Sequence, residues 1–134
     1  MTKTDDRLPK LMAVDDDVAS AELIVRIAER CEYEAFATSD PRGVIALAKA
    51  LKPDMLAIDI CMPNIDANSL FELLKEANYL GTIILVSGQD HDVLKTTAAY
   101  GRSLGLDVPF ALQKPLPIAE LRSFLTENRM KFAA

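Results

Sequence analysis

Five short, almost unbroken apolar runs, each followed by a longer amphipathic stretch, constrain this chain more than any other feature of its sequence. Strands that are half exposed alternate apolar and polar residues; strands that read as continuous apolar runs are covered on both faces, as in parallel sheets flanked by helices. The runs Lys10–Val14, Tyr33–Thr38, Met55–Ile60, Thr82–Ser87 and Phe110–Gln113 are the predicted strands. The stretches Val18–Cys31, Pro41–Leu51, Asn68–Ala77, Asp92–Leu104 and Ile118–Met130 are the predicted helices. Their strict alternation, joined by right-handed crossovers, gives an α/β doubly wound sheet. Local chemistry agrees: Asp17, Ser39-Asp40-Pro41 and Asp66 stand where helix starts need capping oxygens. Gly81 and Gly105 follow the third and fourth helices and are expected to supply left-handed ends.

A chain of 134 residues, half of them hydrophobic, supports one core, so residues 1–134 are expected to form a single domain with its core at about 8–130. Its longest apolar runs, such as Ile83–Val86, are far too short for a bilayer, and Met1–Lys10 lacks a signal-peptide apolar region, so a cytoplasmic location without membrane contact is expected. Cys31 and Cys61 form no Cys-x-x-Cys pair and are expected to be free, buried thiols. A net charge of −5 without a Lys/Arg cluster argues against direct nucleic-acid binding. Neither phosphate-cradling glycine pattern, GxxxxGK or GxGxxG, occurs among the five glycines.

In a doubly wound sheet, ligands collect at the carboxyl ends of the strands. Here those ends carry Asp15-Asp16-Asp17 after the first strand, Asp59 at the third, Ser87 at the fourth, and Lys114-Pro115 after the fifth. Each residue alone has an ordinary explanation as a helix cap, turn residue or solvated cation. Together they are a different object. Clustered carboxylates repel, and a bound divalent cation relieves them; oxygen ligands completed by phosphate suit Mg²⁺. Asp59 is then a candidate nucleophile of the aspartyl-phosphate kind, with Ser87 and Lys114 placed to bind phosphoryl oxygens.

The strings Leu11-Met12-Ala13-Val14-Asp15-Asp16-Asp17, Asp59-Ile60-Cys61-Met62-Pro63-Asn64-Ile65-Asp66, Val86-Ser87-Gly88 and Gln113-Lys114-Pro115-Leu116 resemble the four signature blocks of the response-regulator receiver family, in the family's order. The resemblance implies a flavodoxin-like (βα)5 fold with strand order 2-1-3-4-5. It implies Asp59 as phosphoacceptor, with Asp15, Asp16, Asp59 and the backbone carbonyl of Cys61 as Mg²⁺ ligands, and Ser87 and Lys114 as the groups that read the phosphoryl state. Pro115 falls at the family's cis-proline position. A histidine kinase or histidine phosphotransfer protein would be the donor and an effector protein the target, with the fourth-helix to fifth-helix face available for dimerisation. Such a domain is not an enzyme beyond catalysing its own phosphorylation and dephosphorylation.

Three departures bear on output. Ala67 replaces the usual glycine after Asp66, Ala111 stands where the family carries its switch aromatic, and Leu104–Pro109 reads as an insertion similar to receivers of cyclic-dinucleotide signalling proteins. Phe110 would point to the opposite face unless a bulge changed the register. Gln89 and Cys61 fall where the family tunes access of hydrolytic water, and His91 reads as a solvated residue. The alternatives are a phosphorylation-independent interaction module on the same fold, or a haloacid-dehalogenase-like phosphatase. The latter expects an acid where Cys61 stands and a cap domain for which the chain has no room.

Overall fold

The computed structural model describes residues 8–61, 66–88 and 90–133. Strand β1 (Lys10–Val14) leads to α1 (Val18–Arg30), β2 (Glu34–Thr38), a 3-10 turn (Pro41–Gly43) running into α2 (Val44–Leu51), and β3 (Met55–Asp59). There follow α3 (Ala67–Glu76), β4 (Thr82–Ser87), α4 (His91–Ser103), β5 (Asp107–Gln113) and α5 (Ile118–Ala133). The five strands are parallel and lie in the order β2-β1-β3-β4-β5, the doubly wound arrangement expected from the alternation.

Strand periodicity divides the core between the two faces of the sheet. Met12, Val14, Leu56, Ile58, Ile83 and Leu85 point to the side covered by α2, α3 and α4. Their neighbours Leu11, Ala13, Met55, Ala57, Ile84 and Val86 point to the side covered by α1 and α5. Because both faces are covered, every residue of β3 and β4 is buried, which explains their unbroken apolar runs. Tyr33 ties β2 to the far helix, its hydroxyl donating to the Leu125 carbonyl at 2.8 Å.

Asp17 and Asp66 cap α1 and α3, accepting from the amides of Ala19 and Asn68 at 3.2 Å each. Two expectations about helix ends resolve differently. Gly105 takes the left-handed conformation (φ +90°), whereas after α3 it is Asn78 that does so (φ +58°) rather than Gly81. Gly81 serves another need: a Cβ there would lie 2.7 Å from the Asp54 carbonyl oxygen, so the glycine permits close backbone approach. As expected, the two cysteines form no disulfide, but neither is buried: Cys31 is half-buried at the end of α1 and Cys61 is exposed beyond β3. Thiols at element ends lie outside the covered strand faces.

The last strand is longer than its apolar pattern indicated. Asp107–Pro109 belongs to β5, so half of the apparent insertion before that strand is sheet. Pairing slips between Thr82↔Asp107 and Ile84↔Phe110, and Val108 consequently packs on the α3–α4 side while Phe110 and Leu112 pack on the α1–α5 side.

Candidate functional site

The sheet's topology delivers the acidic residues to one place. β1 and β3 are neighbours in register Val14↔Ile58, so the residues that follow, Asp15 and Asp59, stand side by side at the carboxyl edge. Both are buried, at 1% and 4% exposure, while Asp16 faces solvent. Carboxylate oxygens of Asp15, Asp16 and Asp59 lie within 4.8 Å of one another, an all-oxygen donor set that could hold a hard divalent cation.

Backbone amides orient the two buried acids. The Asp17 N–H donates to Asp15 Oδ1 at 2.9 Å, and the Cys61 N–H donates to Asp59 Oδ1 at 2.9 Å. The second oxygens face Lys114, whose Nζ lies 3.1 Å from Asp15 Oδ2 and 3.3 Å from Asp59 Oδ2. Burial pushes the Asp15 carboxyl above its ordinary range, and the Asp59 charge adds to this against the opposing pull of the Asp17 amide and Lys114. For Lys114, burial alone lowers the pKa, but the Asp15 hydrogen bond and the charges of Asp59 and Asp15 overcome it and hold the ammonium above its ordinary range.

Ser87 is fully buried at the end of β4, paired with Gln113 of β5. Its carbonyl accepts from the Lys114 amide at 2.8 Å, which locks the lysine to the Ser87 edge of the site. The Lys114–Pro115 peptide bond is cis, as the position of Pro115 led us to expect. Thus Asp15, Asp16, Asp59 and Lys114 form one cluster with Ser87 on its border strand. Cys61 stands beside it through its amide, its side chain outward.

A family model for the response regulator receiver domain matches residues 11–126. The chain belongs to this family. The receiver is 26% identical over 98 residues to the alkaline phosphatase synthesis transcriptional regulatory protein PhoP of Bacillus subtilis, covering 73% of this chain and 40% of that protein. It is 28% identical over 133 residues to the protein-glutamate methylesterase/protein-glutamine glutaminase 2 of Anaeromyxobacter dehalogenans, covering 96% of this chain and 37% of that protein. The chain therefore spans about two fifths of these curated relatives. A response regulator from Colwellia psychrerythraea superposes with a TM-score of 0.82 at 30% identity, covering 92% of this chain and 98% of that one. The chemotaxis response regulator CheY4 of Vibrio cholerae shares the fold, with a TM-score of 0.74 at 19% identity over 90% of this chain and 98% of that one. No helix among the described residues is long and apolar enough to cross a membrane.

The strand-end positions of Asp15, Asp16, Asp59, Ser87 and Lys114 are legible in the sequence, but the pairing of Lys114 with both buried carboxylates is not, because it depends on the lysine reaching past the end of β4 to β3 and β1. The amide anchors had a local signal, since an acid at a strand end accepts from the residue two positions on. Ala67 is the first residue of α3 and buried, a place that suits alanine. Ala111 is exposed, and the bulge in β5 leaves Phe110 on the opposite side, stacked on Phe124 of α5 with centroids 4.5 Å apart. His91 opens α4 and is exposed. Gln89 and the Met62–Ile65 part of the signature lie outside the described residues.

Proposed function

We propose that the receiver takes a phosphoryl group onto Asp59 from the phosphohistidine of a histidine kinase or histidine phosphotransfer protein, with Mg²⁺ held by Asp15, Asp16, Asp59 and the Cys61 carbonyl. The observation that carries this reading is the placement of Asp59 beside two further acids while its Oδ2 is met by a buried-side ammonium. The all-oxygen donor set fits Mg²⁺, which when bound would neutralise the acids and the charge on the transferring group.

In the chain's own residues the step is simple. The Cys61 amide holds Oδ1 of Asp59, so the other oxygen is directed toward the site mouth and Lys114. That carboxylate oxygen attacks phosphorus; the phosphorus–nitrogen bond of the donor breaks, and its electron pair returns to the imidazole. Lys114 supplies positive charge to the phosphoryl oxygens, so catalysis is chiefly positioning and electrostatics. Ser87, fully buried before the event, offers its hydroxyl to the new group only if β4's end and the following loop move. With alanine at position 111, that motion is expected in the loop after Ser87 and in α4 rather than along β5. The transferred signal then goes to an effector protein or an output domain. This receiver acts on no substrate other than its own aspartate, in a cytoplasmic setting.

Labelling with radioactive acetyl phosphate tests the reading. Wild type with Mg²⁺ should incorporate label; Asp59→Asn, Asp16→Ala and wild type in chelator should not. Label retained by Asp59→Asn, or mapped to His91 or Ser87, overturns it. Binding of a partner that is indifferent to beryllofluoride and to Asp59→Asn would instead establish the phosphorylation-independent module, the reading that exposed Ala111 favours.

A further inference from the structure

The opposite end of the sheet carries a second feature that the phosphorylation site does not use. At the amino edge of β3 and β4, the ends of α2 and α3 part to leave a groove of about 510 Å³. Its floor is apolar: Leu74 is fully buried, Ala48 nearly so, and the Tyr79 ring packs against the α2–α4 side of the core. The walls are held by hydrogen bonds. Tyr79 Oη donates to the Pro53 carbonyl at 3.0 Å, the Thr82 amide to the Asp54 carbonyl at 3.0 Å, and the Asp54 amide to the Lys10 carbonyl at 2.8 Å.

The rim has two unusual features. Leu80 is 93% exposed, the most exposed large hydrophobic side chain among the described residues. One exposed leucine needs no explanation; one at the lip of an apolar groove extends that groove's contact surface. Across from it stand Lys49 and Lys52, both exposed and neither in an ion pair with a described residue. Lys52 holds a left-handed conformation (φ +50°) that ends α2 at this lip. Two such cations beside an apolar slot stand out on a chain of net charge −5, and the one acid among the lining residues, Asp54, has its Oδ2 engaged by the Lys10 amide at 2.8 Å.

We propose that this groove docks an acidic amphipathic segment of a partner protein, its apolar side chain seated over Leu74 and Tyr79 against Leu80 and its carboxylates meeting Lys49 and Lys52. The charge of the rim selects the partner: a basic segment is repelled and a neutral apolar one leaves both ammonium groups unmatched. From Asp54 to Asp59 the β3 strand spans about 16 Å at roughly 3.3 Å per residue, so the groove and the phosphorylation site can be occupied at once. Docking here is independent of the phosphorylation reading.

Selection of a phage-displayed library of random 16-residue peptides on the full chain tests this. Enriched peptides should carry Leu, Ile, Phe or Met with two or more acids within four residues, and their NMR shifts should map to Ala77–Gly81 and Lys49–Pro53. Leu80→Ser should weaken them by about tenfold, through loss of the apolar contact that extends the groove at its lip. Lys49→Glu with Lys52→Glu, an exposed pair whose change spares the core, should weaken them at least as much and reverse the salt dependence, and Asp59→Asn should leave binding unchanged. Enrichment of basic peptides, no enrichment over the double variant, shifts mapping to α4 and β5, or a dimer of the receiver itself that Leu80→Ser dissociates would overturn the proposal.

Discussion

Replacing Lys114 by methionine removes the cation that lies between Asp15 and Asp59 while keeping an unbranched side chain that reaches as far as Cε. With Nζ at 3.1 and 3.3 Å from the two carboxylates, each attraction amounts to about 5 kcal/mol at an effective dielectric constant near 20. Dehydration of the ammonium and of both acids offsets most of this, and removing one member of a buried ion pair typically costs about 3–5 kcal/mol. Lys114 retains 25% side-chain exposure, so a loss of about 2–3 kcal/mol, or roughly 7–10 °C in melting temperature for a chain of this size, is expected in chelator at neutral pH. A metal ion held by Asp15, Asp16 and Asp59 would compete with the ammonium for these carboxylates. Mg²⁺ should therefore restore much of the lost stability and bind Lys114→Met about tenfold more tightly, which corresponds to ~1.4 kcal/mol. The pH dependence has a definite sign. Because the folded pKa of Lys114 is raised, its contribution is full below the ordinary value of 10.5 and is lost as pH rises through the folded value. Wild type and variant should converge in strongly alkaline solution. Urea denaturation with and without Mg²⁺ across pH measures all of this; equal stability in chelator at pH 7, or unchanged Mg²⁺ affinity, would refute the bridging role of the lysine.

Three further outcomes are expected. The folded pKa of Asp15 is raised above 3.8, so its stabilising contribution is full below that pH and lost as pH rises through the folded value; Asp15→Asn should flatten this decline in metal-free protein, raise its melting temperature and remove stabilisation by Mg²⁺. A fall in both conditions would mark Asp15 as a structural cap instead. Asp17→Ala removes the cap whose Oδ2 also accepts from Ser20 at 2.9 Å, and denaturation should show a loss of about 1 kcal/mol; Asp17→Asn should recover most of it. Phe110→Ala deletes the stack on Phe124 and should cost about 1–2 kcal/mol, since Phe110 is only half-buried, with no change in acetyl-phosphate labelling at Asp59.

The sequence by itself determined the α/β alternation, because a strand buried on both faces must be apolar throughout, as Met55–Ile58 and Thr82–Val86 nearly are. It also determined which residues stand at the strand ends: Asp15, Asp59, Ser87 and Lys114 break those apolar runs, and a polar group at such an end marks the carboxyl edge of the sheet. Helix starts at Asp17 and Asp66 were legible for the same reason, since capping is local chemistry within three residues. Only the tertiary structure decided what depends on distances between separated segments. Local pattern does not contain the slip of β5 against β4, which places Val108 and Phe110 on opposite faces, because that register is set by the neighbouring strand. Nor does it reveal that Asn78 rather than Gly81 turns left-handed, since Gly81 is demanded by the Asp54 backbone pressing against it. The bridging of Asp15 and Asp59 by Lys114 likewise joins residues 99 and 55 positions apart. Polarity and capping are properties of neighbours in the chain; register, close approach and ion pairing across strands are properties of neighbours in space.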